Sequence, residues 1–175
     1  MKKLLRWLSF LPSVLMLLLI FRFSAQDGPS SGSLSYKVSF TIVKLFDRIF
    51  SSGLSEGELV SRAESIQLVV RKLAHITEFF LLTLSFYLPL RVWLSHKGVN
   101  FAGKRFTYKL ILPAFSLSLL CAAADEFHQR FVPGRCGTPV DVFVDSIGIV
   151  VACLFLIYGN YYVKKRHRAC NLHSE

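Results

Sequence analysis

Apolar residues in this chain gather into four long runs, at 8–23, 73–94, 106–127 and 140–163. About 20 helical residues cross a hydrocarbon core of about 30 Å, so each run is long enough to be a transmembrane helix. The second run carries His75, Thr77 and Glu78 in its first turns. The third has an uninterrupted centre at 110–124, and the fourth carries Asp141 and Asp145 near its start. The first run follows Lys2, Lys3 and Arg6, a pattern that also fits a cleaved signal. Cleavage after Ala25 would put the bulky Phe23 where a small residue is needed, and the run is long for a signal, so an uncleaved first helix is expected. The segment between the first two runs, residues 24–70, opens with Gly28-Pro29-Ser30-Ser31-Gly32-Ser33, which reads as a turn-rich linker. Val38, Ile42, Leu45, Phe46, Ile49 and Phe50 then recur at helical spacing. They predict an amphipathic helix, lying on the membrane surface or packed on the rim of the bundle. Ser55-x-x-Glu58 and Ser61-x-x-Glu64 are capping-box patterns, and a helix starting there meets no breaker from Arg62 to Leu88.

Composition sharpens the picture. Of 175 residues, 53% are hydrophobic and 18% charged, with mean hydropathy +0.46. Soluble domains carry about 25% charge, so this chain lacks the polar cover of a soluble surface. The predicted fold is an all-α integral membrane protein, a four-transmembrane-helix bundle with an extra amphipathic outer segment. The transmembrane domain covers 1–163 and a basic tail covers 164–175. Net charge is +10. No groove-reading or base-stacking motif accompanies it, so nucleic acid is excluded as a partner. The basic residues instead cluster between the apolar runs. Three fall in 1–7, five in 91–109 and four in 164–175, with Glu175 the one acid among them. By the positive-inside rule both termini and the 91–109 loop are expected in the cytoplasm.

Under that topology the polar residues of the last three runs share one side. Arg71, Lys72, His75 and Glu78 fall at the outer end of the second span, Asp125, Glu126, His128, Gln129 and Arg130 at that of the third, and Asp141 and Asp145 at that of the fourth. Arg71, His75 and Glu78 are four and three residues apart and share a helix face, as do Asp125, His128 and Gln129. Asp141, Asp145, Gly148 and Ala152 make a third stripe, whose small residues permit close helix contact. A lipid-facing carboxylate costs about 2.5–3.5 kcal/mol near mid-membrane, so these groups are expected to face inward. Arg71, Lys72 and Arg130 can alternatively snorkel to head groups as plain anchors. Cys121 and Cys153 fall within spans and Cys136 has no outer partner, so no disulfide is expected.

Four blocks, in order, carry a resemblance: Phe21-Arg22-Phe23-Ser24-Ala25-Gln26, Arg71-Lys72-Leu73-Ala74-His75-x-x-Glu78-Phe79, Asp125-Glu126-Phe127-His128-Gln129-x-Phe131-Val132-Pro133-Gly134-Arg135, and Asp141-Val142-x-x-Asp145-Ser146-x-Gly148. Over about residues 8–160 the chain resembles the VanZ-like membrane protein family. Phe79, Cys136 and Ala25 depart from the family's usual residues without removing an ionisable group. The resemblance implies a small bacterial multi-pass cell-membrane protein linked to resistance to the glycopeptide antibiotic teicoplanin.

Three functions compete. In the first, a non-enzymatic module binds an envelope lipid or lipophilic antibiotic at the outer face, through Arg71, Lys72, His75, Glu78, Asp125, Glu126, Gln129, Arg135, Asp141 and Asp145. Arginine suits phosphate or carboxylate oxygens through paired N–H donors. In the second, a membrane-embedded enzyme acts on a lipid head group. Its catalytic candidates are His75, Glu78, Asp125, Glu126 and Asp145, and His75 with Glu78 or His128 with Asp125 are the pairs open to a metal. No H-E-x-x-H or G-x-S-x-G spacing is present. A transporter is third, without internal repeat or broken-helix pairs. Membrane lipids are the expected partners, and nothing in the residues calls for a cofactor.

Overall fold

The computed structural model describes residues 2–96 and 104–172, as six helices and their turns with no strand among them. The first apolar run is broken near its start into α1 (Lys2–Leu8) and α2 (Leu11–Ser24). Pro12, in the first turn of α2, has no N–H, and its ring crowds the carbonyl four residues back, which favours the break here. The turn closes through Phe10 N–H on the Trp7 carbonyl at 3.1 Å and Ser9 Oγ on the Arg6 carbonyl at 2.6 Å.

The expected linker at Gly28–Ser33 is instead the start of α3 (Gly28–Phe50). Asp27 caps that helix, accepting Ser30 N–H at 2.8 Å, and Pro29 occupies the first turn, where its missing N–H costs nothing. The turn-rich composition was a helix start in disguise. α3 then runs antiparallel to the first half of α4 (Glu56–His96), which begins at a capping box: Ser55 N–H donates to Glu58 Oε2 at 2.9 Å and Glu58 N–H to Ser55 Oγ at 3.4 Å. Gln67 Nε2 donates to the Gly32 carbonyl at 2.9 Å across the hairpin. The amphipathic helix is present, and its apolar side faces outward. Ser31 and Ser39 are buried, while Leu45, Phe46, Ile49 and Phe50 stay exposed.

α5 (Lys104–Gln129) and α6 (Pro139–Leu172) complete the bundle with α2 and α4, and α6 carries the basic tail on as helix to Leu172. Four helical segments are long and apolar enough to cross a membrane: Arg6–Ser24, Glu56–His96, Tyr108–Gln129 and Pro139–Tyr162. Their shared core holds Ile20, Phe79, Leu82, Phe86, Ile111, Ile149 and small residues such as Ala114 and Ala122. Large apolar side chains also cover the outside, Leu112, Leu120, Leu154 and Phe155 among them. Helices apolar all round suit a lipid surround.

Aromatic residues collect at the end of the bundle that holds α1. Trp7 and Trp93 meet edge-to-face at 5.7 Å, Tyr87 O–H donates to Asn160 Oδ1 at 3.0 Å, and Tyr108 and Tyr161 are exposed. Such residues favour the membrane interface. About 20 residues, one hydrocarbon thickness, separate this belt from the opposite interface. Counting from Trp93, Tyr108 and Tyr161 reaches Leu73, His128 and Asp141. Three helices thus reach the polar ends of their spans after the same count of residues. The earlier turns of α4 and the α3 hairpin extend beyond that level.

Candidate binding site

α4 delivers Arg71, His75 and Glu78 from one face, a turn apart. α5 ends at Gln129 because Pro133 and Gly134 follow, and Gly134 takes φ 71°. A side chain is disfavoured in that conformation. The chain then turns through hydrogen bonds from Phe131 N–H to the His128 carbonyl and from Arg135 N–H to the Val132 carbonyl. Thr138 caps α6. Its hydroxyl donates to Asp141 Oδ2 at 2.8 Å and accepts Asp141 N–H at 3.2 Å, with Pro139 in the first helical position. The cap is tied to α5 through Thr138 N–H on Glu126 Oε2 at 3.1 Å. Gly137 passes so close to the Glu126 carbonyl that a Cβ there would collide with it, and Gly148 meets the Ile76 carbonyl in the same way. These two contacts lock α5 to α6 and α6 to α4.

The ionisable groups meet at this junction. His75 Nδ1 lies 3.8 Å from Glu78 Oε2 and 3.9 Å from Asp145 Oδ1. Gln129 Nε2 donates to Asp125 Oδ2 at 2.9 Å and to Glu126 Oε1 at 3.3 Å. Lys72 Nζ pairs with Asp141 Oδ1 at 3.5 Å on the rim. Arg135 reaches back from the turn to the end of α2, donating to the Phe23 and Gln26 carbonyls at 2.9 and 3.0 Å and to Gln129 Oε1 at 3.3 Å. Burial and the neighbouring charge of Arg71 pull Arg135 below its ordinary value. Three of its N–H groups are thus committed to holding the fold together. Arg71 is different: it has one long bond, Nε to Ser35 Oγ at 3.4 Å, and no ion pair among the described residues.

Two cavities flank this cluster. One, of about 430 Å³, is polar and lies among Lys72, Glu126, Gln129, Thr138, Asp141 and Asp145. The other, of about 180 Å³, lies between α2, α3 and α4 and is lined by Phe23, Leu34, Val38, Val70 and Ala74, with Glu78 at its edge. Arg71, His75 and Arg135 border both. At their walls Asp145 Oδ2 and His75 Nδ1, and beneath them Asp125 Oδ1, are buried without a hydrogen-bond partner. A buried polar atom left in that state is costly, and in native structures it marks a place for water, an ion or a ligand.

Of the ten binding residues expected from the sequence, nine border one cavity or the other, and Asp125 is held beneath Gln129. His128, expected on the same stripe, turns to α2, with its ring centred 5.0 Å from that of Phe21. Arg130 donates Nε to the Gly137 carbonyl at 3.2 Å, bracing the turn. Among the described residues no group of three or more His, Cys, Asp or Glu side chains is placed to hold a metal ion. Sequence reasoning missed the contribution of α3. Ser31 and Ser35 line the apolar cavity, and Ser31, Ser35 and Ser39 at four-residue spacing were the available signal.

A family model described as VanZ/LLP1 matches residues 9–160, which takes in every helix that builds the site. The chain belongs to the VanZ/LLP1 family. No curated protein and no solved structure matches it. The four blocks that carry the VanZ likeness map onto one place: the end of α2 and the clamp to Arg135, the Arg71–Glu78 face of α4, the α5–α6 turn, and the first turns of α6. In this VanZ-family protein the shared residues thus both build and brace a single junction.

Proposed function

We propose that this VanZ-family protein sits in the bacterial cell membrane with both termini in the cytoplasm, and binds an envelope amphiphile at the outer face. The ligand is an envelope lipid or a lipophilic glycopeptide antibiotic such as teicoplanin. The observation that carries the reading is the pairing of cavities: a polar one of about 430 Å³ and an apolar one of about 180 Å³ share a border at Arg71, His75 and Arg135. A head group and the start of its chain can occupy the two together. Pockets for drug-sized ligands run from about 300 to 1,000 Å³, so the polar cavity suits a head group better than an entire glycopeptide. A bound lipid therefore accounts for the space, with the antibiotic meeting altered surface chemistry.

The experiment is photo-crosslinking of an amphiphile carrying a photoreactive group near its head, in cells expressing the protein. Adducts are expected on peptides containing Arg71 or Arg135, and the Arg71→Ala protein should lose both adduct and any teicoplanin protection while remaining inserted. Undiminished labelling and protection in an inserted Arg71→Ala protein would reject the reading.

One observation favours a second reading, an enzyme acting on a head group: His75 Nδ1 lies 3.8 and 3.9 Å from two carboxylates, a setting in which an imidazole can take up or release a proton. Turnover of radiolabelled envelope lipids by purified protein, lost in Glu126→Gln, would promote that reading over the first.

A further inference from the structure

The cluster has an imbalance in how its charges are satisfied. Five carboxylates meet there (Glu78, Asp125, Glu126, Asp141 and Asp145) against the fixed cations Arg71, Lys72 and Arg135. Lys72 is matched by Asp141 and Arg135 is engaged by carbonyls, which leaves Arg71 as a cation with no acid in ion-pair reach among the described residues. Beside His75, one turn further along α4, the situation inverts at a carboxylate of α6. Asp145 is only 2% exposed, lines the polar cavity, and its Oδ2 receives no hydrogen bond; His75 Nδ1 beside it has no hydrogen-bond partner either. Arg71 from α4 and Asp145 from α6 both line the polar cavity, which therefore presents an unmatched donor and an unmatched acceptor.

A head group with only anionic oxygens would satisfy Arg71, leave Asp145 without a donor and add negative charge to an acid-rich wall. One with only a cation would do the reverse and abandon Arg71. A group bearing both charges on a short spacer satisfies each without changing the net charge of the site. Resting on the amphiphile reading above, we propose that the site selects a zwitterionic amphiphile: its phosphate-type oxygens lie on Arg71, its protonated primary amine on Asp145 with His75 and Glu78, and its chain in the apolar cavity between α2, α3 and α4. An ethanolamine-type head group has this form.

The test uses the full-length protein in detergent micelles, with binding read by native mass spectrometry. The probes are short-chain phosphatidylethanolamine, phosphatidylglycerol and phosphatidylcholine, with soluble phosphoethanolamine as a tailless control. Phosphatidylethanolamine is expected to bind about tenfold tighter than either other lipid, since glycerol brings no charge to Asp145 and a quaternary amine has no N–H to donate. Soluble phosphoethanolamine should bind at least tenfold more weakly than its lipid; equal affinity would overturn the role of the tail. Asp145→Asn should erase the preference and leave phosphatidylglycerol binding near its original level, while Arg71→Gln should weaken both lipids. If Asp145→Asn does not fold, Glu78→Gln carries the same prediction, and the three-lipid comparison on the unaltered protein stands alone. Equal affinity for ethanolamine and glycerol lipids would overturn this proposal but spare the amphiphile reading. No saturable binding of any lipid would overturn both.

Discussion

Gly137 and Gly148 stand where two helices can approach only if a side chain is missing. A Cβ on Gly137 would strike the Glu126 carbonyl and one on Gly148 the Ile76 carbonyl, backbone atoms that cannot step aside as a flexible side chain would. Gly57 and Gly159 face open space. Overpacking costs typically about 1–3 kcal/mol. Gly137→Ala and Gly148→Ala are therefore expected to lower the melting temperature of the purified protein, with Gly57→Ala and Gly159→Ala leaving it unchanged. Arg71 and Arg135 should separate just as clearly. Arg135→Gln removes the clamp to α2 and should destabilise the fold. Arg71→Gln, which breaks one long hydrogen bond, should leave the melting temperature near that of the unaltered protein. Asp27 gives a pH test. Hydrogen bonds from the Ser30 side chain and N–H hold its carboxyl below the ordinary 3.8. A depressed folded value means the cap contributes fully above 3.8 and is lost as pH falls through the lower folded value. The stability gap between Asp27→Asn and the unaltered protein should be present at neutral pH and close in acid; a gap constant with pH would argue against the ionised cap.

At the scale of elements, the α3–α4 hairpin shows what apolar spacing leaves open. The stripe of Val38, Ile42, Leu45, Phe46, Ile49 and Phe50 fits a helix lying on a membrane surface or one packed on the bundle, and most of it faces outward. The face that packs on α4 is instead the small and polar one, with Gly32 and Ser39 against it, and Phe46 stacks on Phe50 at 5.8 Å out in the open. Small residues on that face let the two backbones approach. Gly32 faces Arg71 and Gln67. A Cβ there would lie 3.6 Å from Arg71 Nη2 and 3.7 Å from Gln67 Nε2, ordinary contact distances. Gly32→Ala should therefore be tolerated. Gly32→Phe should push α3 away from Arg71 and reduce lipid binding by about tenfold, the cost of one charged hydrogen bond at about 1.5 kcal/mol. Unaltered binding in a folded Gly32→Phe protein would remove α3 from the site.

For the molecule as a whole, the count from the aromatic belt puts the polar junction about one hydrocarbon thickness from the end of the bundle that holds α1. Cys136 reports on which side that is. It is exposed and lines the polar cavity, whereas Cys153 is buried and Cys121 half-buried within spans. A membrane-impermeant maleimide is expected to label Cys136 on intact spheroplasts and Cys170 only after permeabilisation. Short-chain phosphatidylethanolamine should slow the labelling of Cys136 several-fold. Labelling of Cys136 only from the cytoplasmic side would invert the proposed topology.

The residues alone determined the class of molecule: four spans, their order, and the gathering of acids and bases at one end of three of them. Those properties are local or one-dimensional, set by the length of apolar runs and by helical periodicity, and a lipid surround enforces them residue by residue. The capping box before α4 was legible for the same reason, since Ser55 and Glu58 act within one turn. The helical start at Gly28 was not, because glycine, proline and serine serve turns and helix N-termini alike until the Asp27 cap is seen in place. Only the tertiary structure separated Arg135, drawn into the fold by carbonyls about a hundred residues away in sequence, from Arg71, left with its charge unmatched. Only it revealed that α3 walls the apolar cavity. Such distinctions depend on which polar groups find partners across distant helices, and helical spacing carries no information about that.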